Sequence, residues 1–179
     1  MTTLDTLRDL LPDYAKDLKL NLGSVLAPAG APGLTARQIW MVAVATAIAS
    51  RNVPFAKDIE ALARPELDDA ALSAAKAAAA IMGMNNIYYR FTHLAEDGEY
   101  RSLPARLRMN VIGNPGVDKV DFELVSLAVS AVNGCGMCVN AHDAVLKKHG
   151  TGRESIQSAV RIASVIHAVA QVLAYERAA

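Results

Sequence analysis

An all-α fold is predicted by three features of this 179-residue sequence. Alanine dominates an apolar share of 53%, and aromatics make up only 5%, which suits closely packed helices better than a sheet rich in Val, Ile, Tyr and Phe. Thr35 with Gln38, and Thr151 with Glu154, have capping-box spacing directly ahead of apolar runs, so each pair predicts a helix start. The length matches one domain with a single core.

Pro/Gly-rich stretches at Ala27 to Gly33 (APAGAPG) and Asp97 to Gly116 divide the chain. They delimit an N-terminal arm (1–33), a first helical block (34–97), a connector (98–116) and a second block (117–179). The opening MTTLDTLRDLLPDY carries acids among its leucines and lacks the basic start and apolar stretch of a signal peptide. Ile39 to Ser50 is strongly apolar but only 12 residues long, too short to span a bilayer. A cytoplasmic protein is therefore expected, and the 18 basic residues balancing 18 acidic ones predict neither nucleic-acid nor membrane-surface binding.

The second block repeats the first at an offset of 83, which places Val42 on Val125, Ala45 on Ala128 and Ala61 on Ala144. Beyond the following loop the offset becomes 84 or 85, pairing Ser73, Ala74 and Lys76 with Ser158, Ala159 and Arg161. The same comparison sets Trp40, Asn52, Phe55 and Ile59 opposite Glu123, Cys135, Cys138 and His142. Only the second half carries reactive side chains.

Val120 to Val132 is apolar nearly all round, as in a helix buried on most faces, yet Glu123, Ser126, Ser130 and Asn133 recur at helical spacing. A carboxylate on that stripe requires a partner across a helix interface. Asn133 and Gly134 break the helix, and Cys135-Gly136-Met137-Cys138 leads into the next. Cysteines three apart at a helix start can bridge, and the amides there stabilise a thiolate. His142, four residues after Cys138, falls on the same helical face. Glu123 and His142 could then draw the proton from Cys138, directly or through one water.

Other uses of the pair are weighed on the same residues. A thioredoxin-type dithiol would follow a strand, whereas here a helix precedes it. Covalent haem attachment would need His where Val139 stands. A zinc module using Cys135, Cys138, His142 and His149 is the rival, although tetrahedral sites normally draw ligand pairs from two segments. His93 and His167 read as ordinary polar contacts, Trp40, Met82 and Met84 as core, and Asn85 and Asn86 as buried hydrogen-bonders. Arg101, Arg106 and Arg108 read as a solvated or intersubunit face.

Glu123, Cys135, Cys138 and His142 together resemble the alkylhydroperoxidase D family, within the carboxymuconolactone decarboxylase-like helical superfamily. LPDYAKDLKLNL, AAAAIMGMNNIYYR, LRMNVIGNPGVDK and FELVSLAVSAVNGC extend the likeness over essentially the whole chain. The resemblance implies an all-helical fold with an internal pseudo-repeat, assembled as a homotrimer. It also implies a peroxidase needing no bound cofactor or metal, with Cys138 peroxidatic, Cys135 resolving, and Glu123 and His142 as the proton relay. Electrons are implied to come from dihydrolipoamide on a lipoylated 2-oxo acid dehydrogenase component, recharged by lipoamide dehydrogenase. They are implied to pass in some cases to an alkylhydroperoxidase C peroxiredoxin. The best-known members carry a histidine where this chain has Met137. A decarboxylase-like enzyme on the same scaffold is the other family reading, and it leaves the dithiol without a task.

Overall fold

Two central helices, α3 (Ala36–Ala49) and α7 (Lys119–Val132), carry the longest unbroken buried runs, Met41–Ala47 and Phe122–Ser130, and organise the rest. The computed structural model describes residues 2–176, which contain helices and no strand. Around α3 and α7 pack α4 (Val53–Ala63), α5 (Asp69–Leu94), α8 (Gly136–Lys148) and α9 (Arg153–Glu176). Ala43, Ala45, Ala47, Ala75, Ala78 and Ala128 are fully buried at these crossings, where small side chains let helix axes approach closely. Alanine abundance is thus a packing requirement.

Helix starts follow local chemistry. Thr35 and Gln38 form the reciprocal box their spacing predicts, with Thr35 N donating to Gln38 Oε1 at 3.0 Å and Gln38 N donating to Thr35 Oγ1 at 3.2 Å. Asp68 caps α5 through Ala71 N and also accepts from Arg37, and that guanidinium holds the Asp68 carboxyl below its usual range. The Thr151 signal is one residue early: α9 begins at Arg153, and the Gly152 carbonyl accepts from Ile156 N.

The stretch read as an N-terminal arm is folded into α1 (Leu4–Asp9) and α2 (Lys16–Val25), with α2 packed on α9 and Leu7 and Leu22 fully buried. The connector holds only a 3₁₀ turn at Gly98–Arg101 and the short α6 (Asn110–Gly113). Arg106 and Arg108 are exposed as expected. Arg101, exposed as well, also donates to the carbonyls of Thr92 and His93, closing the end of α5. By length and composition α9 could cross a membrane, but Ile162, Ile166 and Val169 place it in the protein core.

The pseudo-repeat is visible in the helix bounds. Helices α3 and α7, and the starts of α4 and α8, stand 83 residues apart, and α5 and α9 start 84 apart. Burial fixes that last register: the buried pairs Ala74–Ala75 and Ala78–Ala79 recur as Ser158–Ala159 and Ile162–Ala163. The offset of 85 that pairs Ser73 with Ser158 is therefore one residue too long. Even the turn repeats, since Arg51 (φ 64°) and Gly134 (φ 70°) both adopt the left-handed conformation, which suits glycine and strains arginine.

Candidate active site

The second turn delivers the reactive pair. Val132 ends α7, Asn133 caps it, and Gly134 reverses the chain so that Cys135 becomes the N-cap of α8. Cys135 Sγ accepts from Cys138 N at 3.3 Å, and the two cysteines form a disulfide across a Cα separation of 5.3 Å. Asn52 does the equivalent capping for α4, accepting from Phe55 N at 3.2 Å. One turn geometry thus holds an inert cap in the first half and a dithiol in the second.

Cys138, His142 and Leu146 are the buried residues of α8, spaced four apart along one face. This face meets the polar stripe of α7. Glu123 Oε2 lies 2.6 Å from His142 Nδ1, with Glu123 only 4% and His142 9% exposed. The carboxylate that the sequence requires to have a partner therefore has one, and a buried pair of this kind persists only when both members are hydrogen-bonded.

The other face of the imidazole belongs to α5. Met82 Sδ lies 3.3 Å from His142 Nε2, and Asn86, one turn on, donates from Nδ2 to Ser130 Oγ at 2.9 Å. Asn133 Nδ2 donates to Asn86 Oδ1 at 2.9 Å, and Arg90 donates to the Asn133 carbonyl at 2.6 Å. Asn86 is the buried hydrogen-bonder expected. Met82 is core by burial, yet its sulfur touches the site. Arg90 drew no attention in the sequence, although Met82, Asn86 and Arg90 recur every fourth residue and so form one helical stripe. Among the described residues, Asn85 Oδ1 on α5 and Ser126 Oγ on α7 are buried without a hydrogen-bond partner.

The proposed zinc set does not assemble. His149 caps the far end of α8, about 16 Å along the axis from Cys138, with its Nδ1 against the Val145 carbonyl. Among the described residues no group of three or more His, Cys, Asp or Glu side chains is arranged to hold a metal. His167 contacts Ser50 and Gln171, as an ordinary polar residue does. A cleft of about 510 Å³ lies between α4 and α5, where Glu60 bonds Lys57 and Lys76, and only Asn133 links it to the dithiol turn.

In the first half, Phe55 and Ile59 are fully buried where the second has Cys138 and His142, and half-buried Trp40 stands at the position of Glu123. The apolar trio packs, whereas its counterpart offers a thiol, a base and a carboxylate.

Comparison with known proteins agrees with this geometry. Residues 98–179, the part bearing the dithiol, match the carboxymuconolactone decarboxylase family. Over 98% of its length the chain is 58% identical to the alkyl hydroperoxide reductase AhpD of Rhodospirillum centenum, covering 93% of that protein. It is 57% identical to the AhpD of Streptomyces coelicolor over 96% of this chain and 94% of that one. The AhpD of Hyphomonas neptunium is likewise 57% identical, over 98% and 96% of the two chains.

Proposed function

The chain belongs to the alkylhydroperoxidase D family, and from that premise we propose that it is a thiol peroxidase that reduces alkyl hydroperoxides through Cys138 and Cys135. The observation that carries this reading is the Cys135–Cys138 disulfide at the start of α8, with the buried Glu123–His142 pair one turn further along.

In the reduced protein, the Cys138 thiolate attacks the terminal peroxide oxygen. The O–O bond breaks, the alkoxide takes a proton and leaves as alcohol, and Cys138 becomes a sulfenic acid. Cys135 then attacks that sulfur, water departs, and the disulfide forms. Its backbone position suits each step, because the α8 N-terminus favours negative charge on sulfur and the turn can hold the two cysteines at a Cα separation, 5.3 Å, that a disulfide spans. His142 and Glu123 serve to take the thiol proton and return it to the leaving oxygen. Half-buried Met137 stands where the best-known members have histidine, so in this reading His142 is the relay's one imidazole, paired with Glu123.

An external dithiol reopens the disulfide through a mixed disulfide, being oxidised itself while both cysteines are regenerated. Dihydrolipoamide, carried on a lipoylated 2-oxo acid dehydrogenase component and renewed by lipoamide dehydrogenase, is the donor in this reading. A peroxiredoxin of the alkylhydroperoxidase C kind is a further acceptor.

The test is turnover with lipoamide, lipoamide dehydrogenase and NADH, with and without an organic hydroperoxide. Peroxide-dependent NADH oxidation is expected. If the disulfide is never reduced, or the reduced protein leaves the hydroperoxide intact, the reading fails and a decarboxylase-like use of the scaffold takes its place.

A further inference from the structure

We propose that Met82 is a positioning residue for the relay imidazole, its thioether fixing His142 from the side opposite Glu123. The proposal rests on the peroxidase reading for its kinetic consequence, but its geometry stands independently. His142 is buried, so a ring nitrogen without a partner would be costly. Nδ1 has Glu123 at 2.6 Å, and Nε2 has Met82 Sδ at 3.3 Å. A thioether sulfur is an acceptor, so a hydrogen bond between Met82 and the ring is made by an Nε2–H. With only the carboxylate in place, the imidazole could pivot about that single bond.

Met82 is itself held. It is 1% exposed, and Asn86 Nδ2 approaches the same sulfur at 3.9 Å. Asn86 and Arg90 fasten Asn133, which directly precedes the Gly134–Cys135 turn. One stripe of α5 therefore braces both the imidazole and the loop that carries the dithiol. The counterpart helix α9, in the register of 84 set by burial, carries Ile166, Ala170 and Ala174 at the three equivalent positions. That helix packs on α3 and α4 of the half without a dithiol as well as on α7. The first-half turn is held by other groups, with His167 Nδ1 3.2 Å from Ser50 Oγ and Asn52 Nδ2 donating to the Ala170 carbonyl, so the thioether of Met82, which has Ile166 as its counterpart, is the feature peculiar to the half that has an imidazole to position.

The experiment is Met82→Leu in the full chain, which keeps an apolar side chain of similar volume and removes the acceptor. Nitrogen-15 spectra of the His142 ring are read in the disulfide form, and kcat and KM for an organic hydroperoxide in the turnover assay. A slowly exchanging Nε2–H signal is expected in the wild type and should be lost in Met82→Leu. kcat should fall roughly three- to ten-fold with KM unchanged, while Met82→Gln, which restores an acceptor oxygen, should regain the signal. Unchanged ring signals in Met82→Leu, or unchanged kcat beside an active wild type, overturn the proposal. A wild type inert toward peroxide defeats the peroxidase reading instead, and the ring spectra then decide Met82 by themselves. Should Met82→Leu not fold, the wild-type spectrum decides: a hydrogen-bonded Nε2–H supports the role and its absence overturns it.

Discussion

Nδ1 of His142 lies 2.6 Å from Oε2 of Glu123, although the two residues are 19 apart in sequence and on different helices. Both are buried, so neither is held there by solvent-screened attraction. Removing one partner strands the other in a low-dielectric interior.

Glu123→Gln and His142→Phe should each slow peroxide turnover by roughly a hundred- to ten-thousand-fold. Alkaline pH should partly rescue both, since a chemically generated thiolate replaces help from a base but cannot repair a collapsed helix interface. Thiolate absorbance followed against pH is the direct check: an unaltered Cys138 titration in both variants would reduce the pair to a packing role.

The two cysteines should separate cleanly. Thiol counting should find two free thiols after reduction and none after mild peroxide treatment, matching the disulfide formed across 5.3 Å. Cys138→Ser should not react with peroxide, whereas Cys135→Ser should consume about one equivalent and stall as a sulfenic acid trapped by dimedone. Trapping at Cys135 in the opposite variant would exchange the two roles.

Glu60 provides a pH-dependent contribution to stability away from the site. Lys76 Nζ at 2.6 Å and Lys57 Nζ at 3.2 Å hold its carboxyl below the usual glutamate range against the opposing effect of burial. A carboxyl lowered in the folded state contributes stability that is complete above its unfolded value and is lost as pH falls through the folded one. Wild type should therefore melt above Glu60→Gln near neutral pH, and the gap should close as acidification carries the pH below the usual glutamate range and the carboxyl is protonated in the folded state as well. A gap independent of pH would mean that the ion pairs contribute nothing.

Ile87, Phe91 and Leu94 form an exposed apolar stripe on α5, at 53%, 50% and 71% exposure, with Tyr100 against Phe91. Such a face suits burial between copies of the chain, and we propose that the trimer implied by the family resemblance would bury it. Sedimentation should show a trimer for wild type and smaller species for Phe91→Asp. A monomeric wild type, or a variant that remains trimeric, would remove the stripe from the interface.

Fold class, the helix starts at Thr35 and Asn133 to Cys135, and the dithiol face of α8 were legible in the residues, because each depends on neighbours within about one helical turn. Capping, left-handed turns and the four-residue spacing of Cys138 and His142 are local properties. Locality also misled, for His149 has plausible ligand chemistry in sequence but lies at the other end of the same helix. Punctuation marks the stretch 1–33 as an arm but does not tell that it contributes Leu7 and Leu22 to the core. Which side chain would satisfy Glu123 was decided only by the crossing of α7, α8 and α5. That crossing brings His142 and Met82 into line and sets Asn86 between Ser130 and Asn133. Contacts between residues 19, 44 or 60 apart carry no local signature. They arise from how helices bury their apolar faces against one another, and only the assembled bundle settles which polar groups meet.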